Sequence, residues 1–360
     1  MHVYLMMLLT ALLLAKQASR ARPYPALVGT YRFFAVCSFL PFAVNAVLRK
    51  GVGTDWVIYD AYYQEISNGG RTFAEPLFNL INRVLYKISP DSVLLFGVVG
   101  FLTLTLFFLG MYRQSEMVTY SILIFFVSGK YFSMLNQIRQ MMAVAIFFFA
   151  FQYISRRCLK KYVFWIVMAG LIHTSAWIYL PLYFLYGIRW NTNRLIKTAI
   201  SFCLGLPIIL FLSRILVRYT RFAWYLSSRF DQSNFDLMGF VLSFLIFFAH
   251  LFLLKRQEDR GSEGMEADPT QGFLVMVCMI SWLVYLLSSA VPQVSRIAES
   301  LSVIEIISLP NLSQKEPNQQ VKNCVLFAAA LMLSCKLLYN TYSTQWWYGV
   351  LPYHTVFYAG

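Results

Sequence analysis

The sequence predicts an all-α polytopic integral membrane protein with about 12 transmembrane helices. Three observations carry that expectation. Only 13% of the 360 residues are charged while 59% are hydrophobic, whereas a soluble domain holds about 25% charge. Asp, Glu, Lys and Arg are absent from 92–112, 140–155, 162–187, 237–254 and 269–295, and a bilayer core asks a helix for about 17–25 such residues. Much of the basic charge falls in short connections between apolar runs, the positive-inside pattern. That pattern also accounts for the net charge of +14, so no nucleic-acid partner is expected.

The elements follow in order. "MHVYLMMLLTALLLAKQASRAR" places Lys16, Arg20 and Arg22 after its apolar run, the order of a first membrane helix ending in the cytoplasm rather than of a secretory signal. "SRRCLKKY", with Arg156, Arg157, Lys160 and Lys161, marks the cytoplasm again. With both segments inside, helices are expected over 3–16, 26–48, 92–112, 117–135, 139–155, 162–173, 175–188, 198–216, 237–254, 272–291, 297–312 and 323–342. The segment 162–187 is long for one crossing and short for two. It reads as two short helices meeting near the outer leaflet at His173-Thr174-Ser175. A single tilted crossing is the alternative, and it would invert everything that follows.

The chain then forms one transmembrane domain over 1–360, with outer loops at 49–91 and 217–236, the first the larger. Cytoplasmic loops are short, apart from the mixed-charge stretch 255–271. No tandem repeat stands out. The six cysteines lie scattered in or beside apolar runs with no CxxC spacing, as small hydrophobes rather than a disulfide framework.

The outer side gathers a short polar set: Asp55, Asp60, Glu65 and Glu75 in the first loop, "NQIRQ" at 136–140, His173, then Arg218, Arg221 and Arg229. "VPQVSRIAESL" adds Arg296 and Glu299, and the tail adds Tyr353 and His354, while Trp346-Trp347-Tyr348 reads as an interfacial belt. Arg139 and Arg296 open apolar helices, where the dipole favours anions. Such a guanidinium makes sense with an anion between it and the free N–H groups of the helix end, or as a headgroup-seeking snorkel. His173 is either a satisfied packing residue or a general base for a hydroxyl. Asp55 and Glu75 read as caps, surface charges or acid–base groups. Glu305 lies deep in its run, an intramembrane acid and therefore a functional candidate. No HxxxH, HExxH, GxxxxGK[ST], GxGxxG or GxSxG motif is present, so no metal, no cofactor and no serine triad are expected.

Five stretches in a fixed order, "GTDWVIYDAYYQEI", "EPLFNLINRVLY", "NQIRQMMAVAIFFFAFQYI", "SRRCLKKY" and "LIHTSAWIYLPLYFL", together resemble the EpsG family, a branch of the Wzy-type bacterial polysaccharide polymerases. The likeness spans roughly 53–185, with echoes in "RIAESL" and "LPYHTVF". Family members often carry Tyr-Phe after the late arginine, where this chain has "AESL".

The resemblance implies a glycosyltransferase of the bacterial inner membrane, acting on the periplasmic face in O-antigen or exopolysaccharide synthesis. It would join oligosaccharide repeat units carried on undecaprenyl pyrophosphate. It further implies Arg139, Arg296, Gln140 and Arg229 as pyrophosphate ligands, and Asn136, Tyr59 and Tyr353 on the sugar. His173 is then the first candidate for the base, with Asp55 and Glu75 behind it. The partners it implies are the lipid-linked oligosaccharide and membrane lipid, with a chain-length regulator protein as a further candidate. Two other readings share many of these residues: a lipid-linked oligosaccharide flippase, and a transferase that adds single sugars from a polyprenyl carrier.

Overall fold

The computed structural model describes residues 1–67, 69–70, 74–219, 223, 235–261, 268–291, 293–342 and 349–357. Arg221, Arg229 and the Trp346-Trp347-Tyr348 cluster lie outside them. The described residues form no sheet strand and seventeen α-helices. The first ten are α1 (His2–Ala21), α2 (Val28–Val47), α3 (Trp56–Ser67), α4 (Pro76–Tyr86), α5 (Val93–Gln114), α6 (Val118–Val127), α7 (Lys130–Asn136), α8 (Ile138–Ala150), α9 (Gln152–Ser155) and α10 (Leu159–Ile172). A 3-10 turn (Thr174–Tyr179) leads to α11 (Leu182–Leu185), α12 (Thr192–Arg218), α13 (Leu237–Gly261), α14 (Pro269–Leu286), α15 (Ser295–Leu301), α16 (Glu305–Gln314) and α17 (Gln319–Tyr342).

Among the described residues eight helical segments are long and apolar enough to cross a membrane, or nine if the bent pair α6–α7 makes one span. The sequence predicts about 12. The difference lies in three places. His173 adopts an extended φ of −151° and ends α10. The stretch 175–188 holds only the 3-10 turn and the four residues of α11. The run 297–312 is cut by a 3-10 turn at Ser302–Ile304 into short α15 and α16. Interrupted backbone at membrane depth is tolerated where protein surrounds it, and α16 is buried from Glu305 to Ser313. Two loops are also more helical than expected: 49–91 contains α3 and α4, and α13 continues to Gly261.

The contacts separate the chain into two compact units, residues 1–183 with 333–360, and residues 184–332. In the first, α1 packs on α2, α2 on α5, α5 on α8 and α8 on α10. Aromatic rings fill the centre, with Phe42 edge-on to Tyr131 at 4.9 Å and Phe107 tilted against Phe125 at 4.8 Å. Each such pair contributes about 0.5–1.5 kcal/mol beyond its buried area.

In the second unit α14 packs against α13, α15 and α16, whereas α12 is buried only at Thr192, Leu195 and Ala199. One end of this unit is held by charge. The Glu316 carboxylate accepts from Arg256 Nε and Nη2 at 3.0 and 3.1 Å and from Arg260 Nη1 at 2.9 Å. Burial pushes that carboxyl up, but Arg256, the Asn318 N–H and Arg260 outweigh burial and bring it down to about 2.

Candidate functional site

Four pieces of the first unit converge on α7 and α8. At Gln137 (φ −89°, ψ 61°) the chain leaves α7 and starts α8, so the last carbonyls of α7 turn to partners outside the helix. The loop before α3 comes very close here. Gly53 has φ +111°, and a Cβ on it would lie 2.7 Å from the Leu135 carbonyl oxygen. Only glycine accepts both conditions. The approach lets Asn136 Oδ1 accept from Thr54 Oγ1 and from the Asp55 backbone N–H, each at 2.8 Å. Asn136 thereby serves the open N-terminus of α3 from another helix, the task an N-cap residue performs locally.

Glu75 stands at the entry to α4, with Pro76 at the first helical position and no side-chain bond to its own helix. Its carboxylate turns instead to the turn after α10. Oε1 accepts from the Thr174 backbone N–H at 2.9 Å and the Thr174 hydroxyl at 2.8 Å. Oε2 accepts from Arg139 Nη1 at 3.0 Å. His173 Nδ1 lies 3.8 Å from Oε1. Burial pushes the Glu75 carboxyl up, but the Thr174 N–H, the Arg139 charge, the Thr174 hydroxyl and His173 together hold it below the usual carboxylate range.

The turn itself is fixed from behind. Tyr162 donates to the Tyr179 carbonyl at 2.6 Å, and Phe147 of α8 stacks on Tyr179 at 3.9 Å. Phe78 of α4 lies under the Arg139 guanidinium at 6.0 Å and meets Tyr59 edge-on at 6.0 Å. Side-chain exposure is 20% for Arg139, 23% for His173 and 11% for Glu75, so the cluster is sheltered yet open.

The structure thus brings Glu75, Arg139 and His173 together, with Asp55, Asn136 and Tyr59 in the layer beside them. Gln140 is buried one residue beyond Arg139. Tyr353 has other company, donating to the Asn45 carbonyl at 2.7 Å and packing edge-on to Tyr4. Arg296 opens the seven-residue α15 of the second unit, where it is exposed, and buried Glu305 begins α16 of that unit. The anion beside Arg139 within the chain is Glu75, a pairing across 64 residues that a first-turn arginine does not disclose. Thr174 is the clamp on that carboxylate, and its signal was present in "HTS" directly after an apolar helix. Arg49, a cation directly after an apolar run, reads from the sequence as a helix-end anchor, which hides its burial. Among the described residues no three His, Cys, Asp or Glu side chains converge as metal ligands.

A multi-pass helical membrane protein carrying a carboxylate–arginine–histidine cluster at the start of a spanning helix is the class these features define. The EpsG family model matches residues 32–355. The chain belongs to the EpsG family, and membership over nearly its whole length supports a polysaccharide polymerase as its general class. No curated protein and no solved structure matches it.

Proposed function

We propose that the chain joins oligosaccharide repeat units carried on a polyprenyl diphosphate, at the periplasmic face of the bacterial inner membrane. The observation that carries this reading is Arg139 in the first turn of α8. Glu75 occupies one of its nitrogens, at 3.0 Å, and the side chain stays one-fifth exposed. A guanidinium has five N–H donors, so donors remain for a ligand oxygen, and the N-terminus of α8 favours negative charge in the same place. His173 and Thr174 stand beside it through Glu75.

In this reaction the acceptor hydroxyl oxygen bonds to the anomeric carbon of the donor as the carbon–oxygen bond to the diphosphate breaks. The leaving group takes the electron pair, and Arg139 neutralises the charge that grows there. The hydroxyl proton passes to His173. Glu75, 3.8 Å from Nδ1, then stabilises the charged form of the imidazole through its own negative charge. Three donors already occupy the Glu75 carboxylate, which makes it a weaker base than a free one, so it serves better in this role than as the base itself. Asp55 stands next in line for the proton.

The test is a genetic complementation in the host, with surface glycan resolved by size on a gel. Arg139→Lys keeps the charge but loses the planar fork, and its ladder is expected to shorten. Arg139→Gln is expected to reduce polymer at least about 100-fold, the order seen when one preorganised donor to a developing anion is removed. A full-length ladder from Arg139→Gln overturns the reading. So does a wild-type chain that adds single sugars without building repeats.

A further inference from the structure

Arg49 is a buried charge in the first unit whose surroundings the cluster around Glu75 does not explain. It follows α2 and is 0% exposed. Its Nη1 donates to the Leu135 carbonyl at 2.5 Å, and the guanidinium lies over Phe96 at 5.5 Å. Its Nε and Nη2 meet no acceptor among the described residues, and no carboxylate among them pairs with it. Nearby hydroxyls are committed elsewhere: Tyr4 donates to the Val350 carbonyl, Tyr353 to the Asn45 carbonyl and Tyr131 to Asn45 Oδ1. Buried charges are ordinarily paired. Burial does pull this guanidinium down, to about 10, which leaves it charged at neutral pH.

Part of what covers it is a short strap. Residues 349–357 fold back over the end of α2, with Arg49 opposite Thr355 in an antiparallel bridge. Lys50 N–H donates to the His354 carbonyl, Val356 N–H to the Leu48 carbonyl and Gly53 N–H to the Gly349 carbonyl. The outer side of this strap is open, Pro352 being exposed and Phe357 78% exposed. This strap therefore helps cover a guanidinium whose Nε and Nη2 have no acceptor among the described residues. The acceptor of its side-chain hydrogen bond, Leu135, lies one residue before Asn136 and four before Arg139.

We propose that Arg49 is a second anion ligand of the same site, and that residues 349–357 are a cover which lifts to let a phosphate oxygen reach it. The inference rests on the reading of Arg139 as a phosphate ligand and adds a division of labour. A diphosphate ester carries two phosphates, and the two guanidiniums take one each. The free edge of Arg49, Nε with Nη2, is the bidentate face that suits a phosphate. A monophosphate ester engages Arg139 alone.

The experiment uses the full chain in lipid nanodiscs, with farnesyl diphosphate and farnesyl monophosphate as probes. The diphosphate is expected to bind about tenfold more tightly or better, the scale of one added charge-assisted contact. Arg49→Gln should erase that preference and leave monophosphate affinity unchanged. Should that variant fail to fold, a reversible lock keeps the arginine: Lys50→Cys with His354→Cys, oxidised to pin the strap. The locked protein should lose the diphosphate preference and regain it on reduction, while oxidant leaves the parent chain unaffected. Unchanged diphosphate preference in both Arg49→Gln and the locked protein overturns the inference. Arg139→Gln reports separately: weaker binding of both probes upholds the site on which the inference stands. If instead Arg139→Gln leaves both affinities intact, the reading of the site falls and this inference with it.

Discussion

In the proposed reaction Glu75 has to meet two conditions that conflict. A carboxylate that stabilises the charged imidazole must stay ionised, yet it must sit in a sheltered place, where burial pushes its pKa up. Thr174 resolves the conflict with two donors on one oxygen, at 2.9 and 2.8 Å. The sign of the consequence is definite. A carboxyl depressed in the folded state lends stability and the right charge above its unfolded pKa, and loses both as pH falls through the folded one. Thr174→Val keeps the backbone N–H but removes the hydroxyl, so the Glu75 carboxyl moves up. On acidification the variant should lose stability at higher pH than the parent, with less than about a tenfold loss of activity near neutrality, one hydrogen bond's worth. An unmoved midpoint of acid unfolding would mean that Glu75 is not the group titrating there. At this scale the sequence was partly legible. His173, Arg139 and Glu75 stood out because polar groups are scarce beside apolar runs. Their mutual partnership did not, because it joins residues 64 and 99 positions apart.

Helices long enough to span were readable from hydropathy alone, and the short ones were not. The 162–187 segment illustrates why. Its composition is apolar throughout, so periodicity could not show that an extended His173 ends α10 and that a 3-10 turn takes over. Only the buried bond from Tyr162 to the Tyr179 carbonyl and the ring of Phe147 explain how that turn is held. Tyr162→Phe leaves that carbonyl without its donor in a dry place, which costs about 1–3 kcal/mol. A lowered melting temperature and a larger fall in polymer yield than in membrane insertion are expected, since the turn carries His173 and Thr174. The loop between α16 and α17 gives a second element-scale test. Glu316 is depressed to about 2, so its contribution is full above the unfolded carboxylate range and fades as pH drops toward 2. Glu316→Gln should cost about 1.5–3 kcal/mol at pH 7, as hydrogen bonds to charged groups do. Its melting temperature should then vary less than the parent's between pH 5 and pH 3. Equal acid sensitivity in both proteins would remove Glu316 from the account.

The periplasmic position proposed for the site rests on one element. The candidate span Ile138–Ser155 has 18 residues, about 27 Å of helix at 1.5 Å per residue, close to the roughly 30 Å of a hydrocarbon core. Arg139 opens it and Arg156, Arg157, Lys160 and Lys161 follow it. If this segment crosses, its two ends face opposite compartments, and four cations within six residues belong on the cytoplasmic side. The Glu75 cluster is then periplasmic. That orientation is the same however many times the rest of the chain crosses, a number that sequence and structure do not share. Membrane-impermeant maleimide on intact spheroplasts should therefore label a cysteine placed at Gln137, or one at the half-exposed Ile178 next to the site, but leave the native Cys158 unlabelled. Cys158 should react only in inverted vesicles. Labelling of Gln137→Cys from the cytoplasmic side alone would put Arg139 out of reach of a periplasmic substrate, whatever the chemistry of its neighbours.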